Sequence, residues 1–145
     1  MRVVGIDLGE RRIGVAVSDS SGTLASPRCT IERTGDDAEA WDALAAVVEA
    51  EGARRVVVGL PLSLNGRRGP AARAAQADAD ALARRLEDRG VTVETFDERL
   101  TTVSAARSLA ASGQRGARQR AKIDQAAAAV LLQAWLDAQG ADGGA

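Results

Sequence analysis

Three places in the sequence put carboxylates where a reactive site could form. Asp7 closes a β-branched run, Arg2 to Leu8, inside Gly5-Ile6-Asp7-Leu8-Gly9. A carboxylate among apolar neighbours is costly to bury unless it is paired or binds a cation. Its flanking glycines let another group approach closely. Asp97 and Glu98, followed by Arg99, leave the end of another such run, Val91 to Phe96. Sites of open α/β sheets form at the carboxyl ends of strands. Asp124 belongs to a helical stretch, Ala121 to Gln139, whose apolar arc holds Ile123, Ala127, Val130, Leu131, Ala134 and Trp135. At about 100° per residue Asp124 falls inside that arc, facing the sheet rather than water. Each carboxylate also has a purely structural explanation: a turn aspartate on backbone amides, a strand-exit ion pair, or an acid at a helix N-terminus. Taken together they form an oxygen-rich set of the kind Mg²⁺ or Mn²⁺ prefers. Two such ions about 4 Å apart can activate a water and stabilise the leaving oxygen of a phosphodiester.

The residue types that are missing exclude other chemistries. The chain has no His and no Tyr, and its one cysteine is Cys29. Ser-His and Cys-His nucleophile pairs, imidazole bases, His-ligated zinc and disulfides within the chain are excluded. Cys29 is expected to be a small buried hydrophobe. The only aromatics are Trp41, Trp135 and Phe96, too few for a base-stacking platform. Acid-base or metal chemistry must therefore run on carboxylates, arginines and the single Lys122.

The elements that would position these groups follow from periodicity. Arg2–Leu8 and Ile13–Asp19 read as strands joined by a hairpin-length connection. Leu24–Ile31 reads as a third strand, placed at an edge by Pro27. Asp36–Glu51 reads as a helix, with Trp41, Leu44, Val47 and Val48 at helical spacing. Arg54–Leu60 contains Val56-Val57-Val58, the continuous apolar run of a doubly covered strand. Pro61–Gly69 is a loop; Pro70–Arg89 is a helix closed by Gly90, and Val91–Phe96 is a strand. Thr101–Ser112 is a short helix, Gly113–Arg120 a basic loop, and Ala121–Gln139 the last helix. This order predicts an α/β fold with a mixed sheet, three antiparallel strands followed by parallel additions. One domain over residues 1–139 with a flexible tail, 140–145, is expected. No stretch approaches the roughly 20 apolar residues of a membrane span, and no signal peptide is seen, so a cytoplasmic protein is expected.

Charge is polarised although its sum is only -1. Gly35–Ala53 holds six acids and no base, whereas Arg99–Lys122 holds six bases and no acid. Arg67, Arg68 and Arg73 add a second basic segment. Basic segments beside candidate carboxylates point to a polyanionic partner. The loop Asn65-Gly66-Arg67-Arg68-Gly69 offers backbone amides and guanidinium groups to phosphate. It is not a Walker A loop, because it lacks the Gly-Lys-Ser/Thr ending.

With these residues in place, the chain resembles the YqgF (RuvX) family over roughly residues 2 to 137. The resemblance rests on Val4-Gly5-Ile6-Asp7-Leu8-Gly9 with Arg11-Arg12-Ile13-Gly14-Val15-Ala16, on Val58-Gly59-Leu60-Pro61-Leu62 with Gly66, on Asp97-Glu98-Arg99-Leu100-Thr101-Thr102, and on Lys122-Ile123-Asp124-Gln125-Ala126-Ala127. It implies an RNase H-like mixed five-stranded sheet, order 3-2-1-4-5, flanked by helices. It also implies a metal-dependent endonuclease using Mg²⁺ or Mn²⁺, with Asp7, Glu98 and Asp124 as catalytic acids and metal ligands. Arg11, Arg12, Arg99 and Lys122 match basic positions beside the site. Arg67, Arg68, Arg115, Arg118 and Arg120 join them as candidate phosphate contacts. Related nucleases often carry an acid at the end of the fourth strand, where this chain has Gly59-Leu60-Pro61. In the implied order the fifth strand lies two strands from Asp7, about 9 to 10 Å away. Asp97 is therefore an alternative to Glu98.

Three functions follow as expectations. The first is cleavage of structured RNA in 5′-end maturation of pre-16S rRNA, alone or on ribosomal precursor particles. The second is resolution of four-way DNA junctions, which favours a symmetric dimer over a monomer. The third is a non-catalytic RNA-binding assembly factor. An actin-like phosphotransferase needs a second such domain, for which 145 residues leave no room.

Overall fold

The computed structural model describes residues 1–111 and 116–143. Strands β1 (Val3–Leu8), β2 (Arg12–Ser18) and β3 (Ala25–Glu32) form an antiparallel meander. Helix α1 (Asp37–Glu51) crosses to β4 (Arg55–Leu60), which pairs parallel with β1. Helix α2 (Pro70–Leu86) crosses to β5 (Thr92–Asp97), which pairs parallel with β4. Helices α3 (Val103–Ala111) and α4 (Ala117–Gly143) complete the chain. The sheet order is β3-β2-β1-β4-β5, the mixed order expected from the resemblance.

Period-two alternation divides the sheet into two faces. Val4, Ile6, Ile13, Val15, Val56 and Val58 pack under α1 and α2 with Trp41, Leu44, Leu82 and Leu86. Val57, on the opposite face, packs with Ala16, Leu132, Trp135 and Leu136 under α4. The Val56-Val57-Val58 run is apolar throughout because both faces of β4 are covered. Alanines line the sheet side of α2: Ala72, Ala75 and Ala79 are all buried.

Helix ends follow their caps. Asp36 accepts a 3.0 Å hydrogen bond from the Ala38 amide, and Gly52 ends α1 at φ 64°. Pro70 starts α2, where its missing N–H is no loss. That helix stops at Leu86, and a 3-10 turn, Glu87–Arg89, leads to Gly90 at φ 72°. The β2–β3 register shifts between Val15 and Ala16, which face Cys29 and Pro27, so edge strand β3 carries one extra residue, Arg28, beside its proline.

Helix α4 is longer than its apolar periodicity indicated. It begins at Ala117 and continues to Gly143, so Arg118 and Arg120 stand on a helix rather than in a loop. Arg115 lies outside the described residues. Cys29 is half-buried against the α1 face, and burial raises its thiol pKa.

Candidate active site

Asp7 leaves the sheet on the α4 face, and glycine flanks it on both neighbouring strands. Gly14 of β2 is its direct antiparallel partner. Gly59 of β4 lies one step beyond the Ile6–Val58 pair, level with Asp7 on the other side. Neither glycine needs an unusual φ; both are required by close approach. A Cβ on Gly14 would collide with the backbone oxygen of Asp124. A Cβ on Gly59 would stand 2.8 Å from Glu98 Oε1 and 3.0 Å from Leu131 Cδ2. The bare backbone beside Asp7 is thus filled from above, by the first turns of α4 on one side and by the Glu98 carboxylate on the other.

Both incoming groups are held by local structure. The Thr30 hydroxyl donates 2.7 Å to the Ala121 carbonyl, seating the start of α4 on the sheet edge. A 3-10 turn, Glu98–Leu100, follows β5 directly and turns Glu98 inward. The Thr101 hydroxyl donates to the Glu98 carbonyl and accepts from the Val103 amide, joining this turn to α3. Glu98 is buried. Its neighbour Asp97 turns the other way, accepting from the Arg99 amide at 2.9 Å and from the Arg99 guanidinium at 2.6 Å. Those bonds hold the Asp97 carboxyl below its ordinary pKa. Of the two adjacent acids, Glu98 is therefore the one beside Asp7.

Arg107 of α3 closes the site. Its Nη2 donates to Asp7 Oδ1 and, at 3.0 Å, to Glu98 Oε1, while Nε donates 3.2 Å to Asp7 Oδ2. Asp124 is held separately, accepting from Arg12 Nε at 2.6 Å. Asp7 is only 6% exposed. Its pKa is raised to about 6, chiefly by burial and in smaller part by the Glu98 and Asp124 charges, against the lowering effect of Arg107.

The other basic positions differ in exposure. Arg11, Arg67, Arg68, Arg99, Arg118, Arg120 and Lys122 are exposed. Arg12 is half-buried in its pair with Asp124. Arg99 also donates 3.4 Å to the Leu64 carbonyl, linking the exit of β5 to the loop after β4. In that loop the Gly66 amide donates to Ser63 O and the Arg67 amide to Asn65 Oδ1. Those two amides, read from the sequence as phosphate donors, are used inside the turn; the guanidinium groups are what the loop presents outward.

Sequence reasoning missed Arg107. The signal was there: Arg107 stands one helical turn after Val103, which is fully buried, so it shares the inward face of α3. An arginine on an apolar helical face implies a buried anionic partner.

The donors here are all hard oxygens, and two of them already converge on one cationic nitrogen, so the residue types fit a divalent cation. Among the described residues, no three acidic, His or Cys groups are close enough together to hold a metal in this conformation, Asp124 being turned to Arg12.

A mixed sheet in this order, with acids gathered on β1, after β5 and on the last helix, defines an RNase H-like protein. Thermus thermophilus RuvC in complex with a Holliday junction substrate shares the fold, with a TM-score of 0.58 and 18% identity, covering 97% of this chain and 96% of that one. The RuvX family, described as Holliday junction resolvase, matches residues 1–138, and the chain belongs to it. A relative from Myxococcus xanthus named "Putative pre-16S rRNA nuclease" is 49% identical over 138 residues, 95% of this chain and 89% of that protein. Relatives of the same name from Mycobacterium sp. (strain KMS) and Chloroflexus aggregans are 51% and 46% identical, each over 94% of this chain and over 79% and 94% of their own lengths.

Proposed function

We propose that this protein is a divalent-metal-dependent endonuclease that trims the 5′ end of pre-16S rRNA in the cytoplasm. One observation carries the reading: Asp7 and Glu98 meet at a single cation position, and the Asp124 backbone packs over Gly14, the strand partner of Asp7. The names of the RuvX relatives support the substrate.

Asp7, Glu98 and Asp124 would hold Mg²⁺ or Mn²⁺, which when bound activates an attacking water and neutralises charge on the phosphodiester. The burial of Asp7 and Glu98 strengthens their attraction for a cation, because little water screens them. For Asp124 to take part, its pair with Arg12 must open, and that frees a guanidinium beside the site for phosphate. Arg11, Arg67, Arg68, Arg99, Arg118, Arg120 and Lys122 are exposed and would grip the nucleic acid backbone. With three aromatics in the chain, recognition rests on backbone and shape rather than base stacking.

The family description favours a second substrate, the four-way DNA junction. The test is to incubate wild type and Asp7→Asn with labelled pre-16S leader RNA and with a junction, in Mn²⁺ or chelator. RNA cleavage that needs both Asp7 and metal is the expected result. Junction cleavage alone would replace RNA by DNA as substrate. RNA binding without any cleavage would make the protein an assembly factor.

A further inference from the structure

Arg107 has no part in the mechanism above, yet its guanidinium stands where the cation belongs. Nη2 is shared between Asp7 Oδ1 and Glu98 Oε1, two carboxylates brought in by different elements. The carboxylates are deeply buried, with side-chain exposures of 7% and 8%, whereas the arginine side chain is 34% exposed. The anions are therefore fixed, and the cation has a way out to solvent. Formal charge adds a driving force. Two buried carboxylates carry -2 against the +1 of one guanidinium, whereas a divalent ion would balance them.

We propose that Arg107 is a latch: it fills the cation position between Asp7 and Glu98 and must leave when a divalent metal binds. This deepens the nuclease reading and rests on it. Arg107 preserves the convergence of the two carboxylates, which would otherwise repel each other, and sets a threshold for loading metal. A phosphate backbone offers the displaced guanidinium a new partner. Nucleic acid and metal then promote each other's binding, since any such coupling is reciprocal.

The test is calorimetric titration of the full-length protein with Mn²⁺, comparing wild type, Arg107→Ala, Arg107→Gln and Arg107→Lys. Tryptophan fluorescence checks the fold of each. Arg107→Ala and Arg107→Gln should bind Mn²⁺ at least about tenfold more tightly, the scale of a charge-assisted contact that no longer has to break. Arg107→Lys, which keeps the charge but loses the planar fork, should fall between them and wild type. Guanidinium chloride at sub-denaturing concentration should weaken Mn²⁺ binding to Arg107→Ala more than sodium chloride at equal ionic strength does. Equal or weaker Mn²⁺ binding by both neutral variants, with guanidinium no more effective than sodium, overturns the latch. Parallel cleavage assays separate the two ideas. Tighter Mn²⁺ binding without Asp7-dependent cleavage keeps the latch and removes the nuclease; unchanged binding with Asp7-dependent cleavage does the reverse.

Discussion

Replacing Asp7 by Asn should stabilise the metal-free protein while abolishing cleavage. The carboxyl titrates near its ordinary 3.8 in the unfolded chain and at about 6 in the fold, where burial opposes its charge. Between those values the folded state binds more protons than the unfolded one, so stability falls as pH rises. At about 1.4 kcal/mol per pKa unit, holding Asp7 ionised costs the fold about 3 kcal/mol above pH 7. The attraction of Arg107 is already counted in that value. Asparagine has nearly the same shape, keeps an acceptor for Arg107 and carries no charge. In urea titrations with chelator, Asp7→Asn should be more stable than wild type at pH 8 by about 3 kcal/mol. With a slope near 2 kcal/mol per molar, that is roughly 1.5 M in midpoint. The gap should close as pH falls through 6 and vanish near 4. Trp41 on α1 and Trp135 on α4 report both faces of the sheet in one fluorescence signal. Saturating Mn²⁺ should shrink or reverse the gap by stabilising wild type alone, by about 2.7 kcal/mol at a hundredfold excess over Kd. A variant less stable than wild type at pH 8, or a gap independent of pH, would refute the reasoning.

Three further outcomes follow from the geometry. Gly14→Ala drives a methyl into the Asp124 backbone, where no rotamer change relieves it; it should cost about 1–3 kcal/mol or more in chemical denaturation and lower cleavage by displacing the start of α4. Glu98→Gln should abolish cleavage, whereas Asp97→Asn should keep most of it, since Asp97 is occupied by Arg99; comparable losses in single-turnover assays would contradict that division. Arg67→Ala with Arg68→Ala should weaken RNA binding across sequences and reduce the slope of log affinity against log salt by about one per lost phosphate contact, measured by filter binding over a salt series.

The local order of the chain was legible in its residues. β-Branched and apolar runs with their turn signals marked five strands, the Val56-Val57-Val58 run marked a strand covered on both faces, and Asp36, Pro70 and Gly90 marked helix ends, because all of these depend on neighbours within a few positions. Asp7 was recognisable as a costly carboxylate at a strand end for the same reason. Helix α4 was read short at both ends because its first and last turns are not amphipathic, and backbone hydrogen bonding carries the helix past the apolar stripe.

Which acid joins Asp7, and what holds the pair, depended on the tertiary structure. Asp97 and Glu98 are adjacent and alike in sequence; the 3-10 turn after β5 sends one to Arg99 and the other over Gly59. The two-strand separation that made Glu98 look remote is bridged because Gly59 leaves the space between β5 and β1 open. Gly14 makes the same room for Asp124. Arg107 reaches Asp7 from 100 residues away in sequence. Sequence pattern gives each residue its element and face; only the packing of elements on one another decides which faces meet, and the site lies at that meeting.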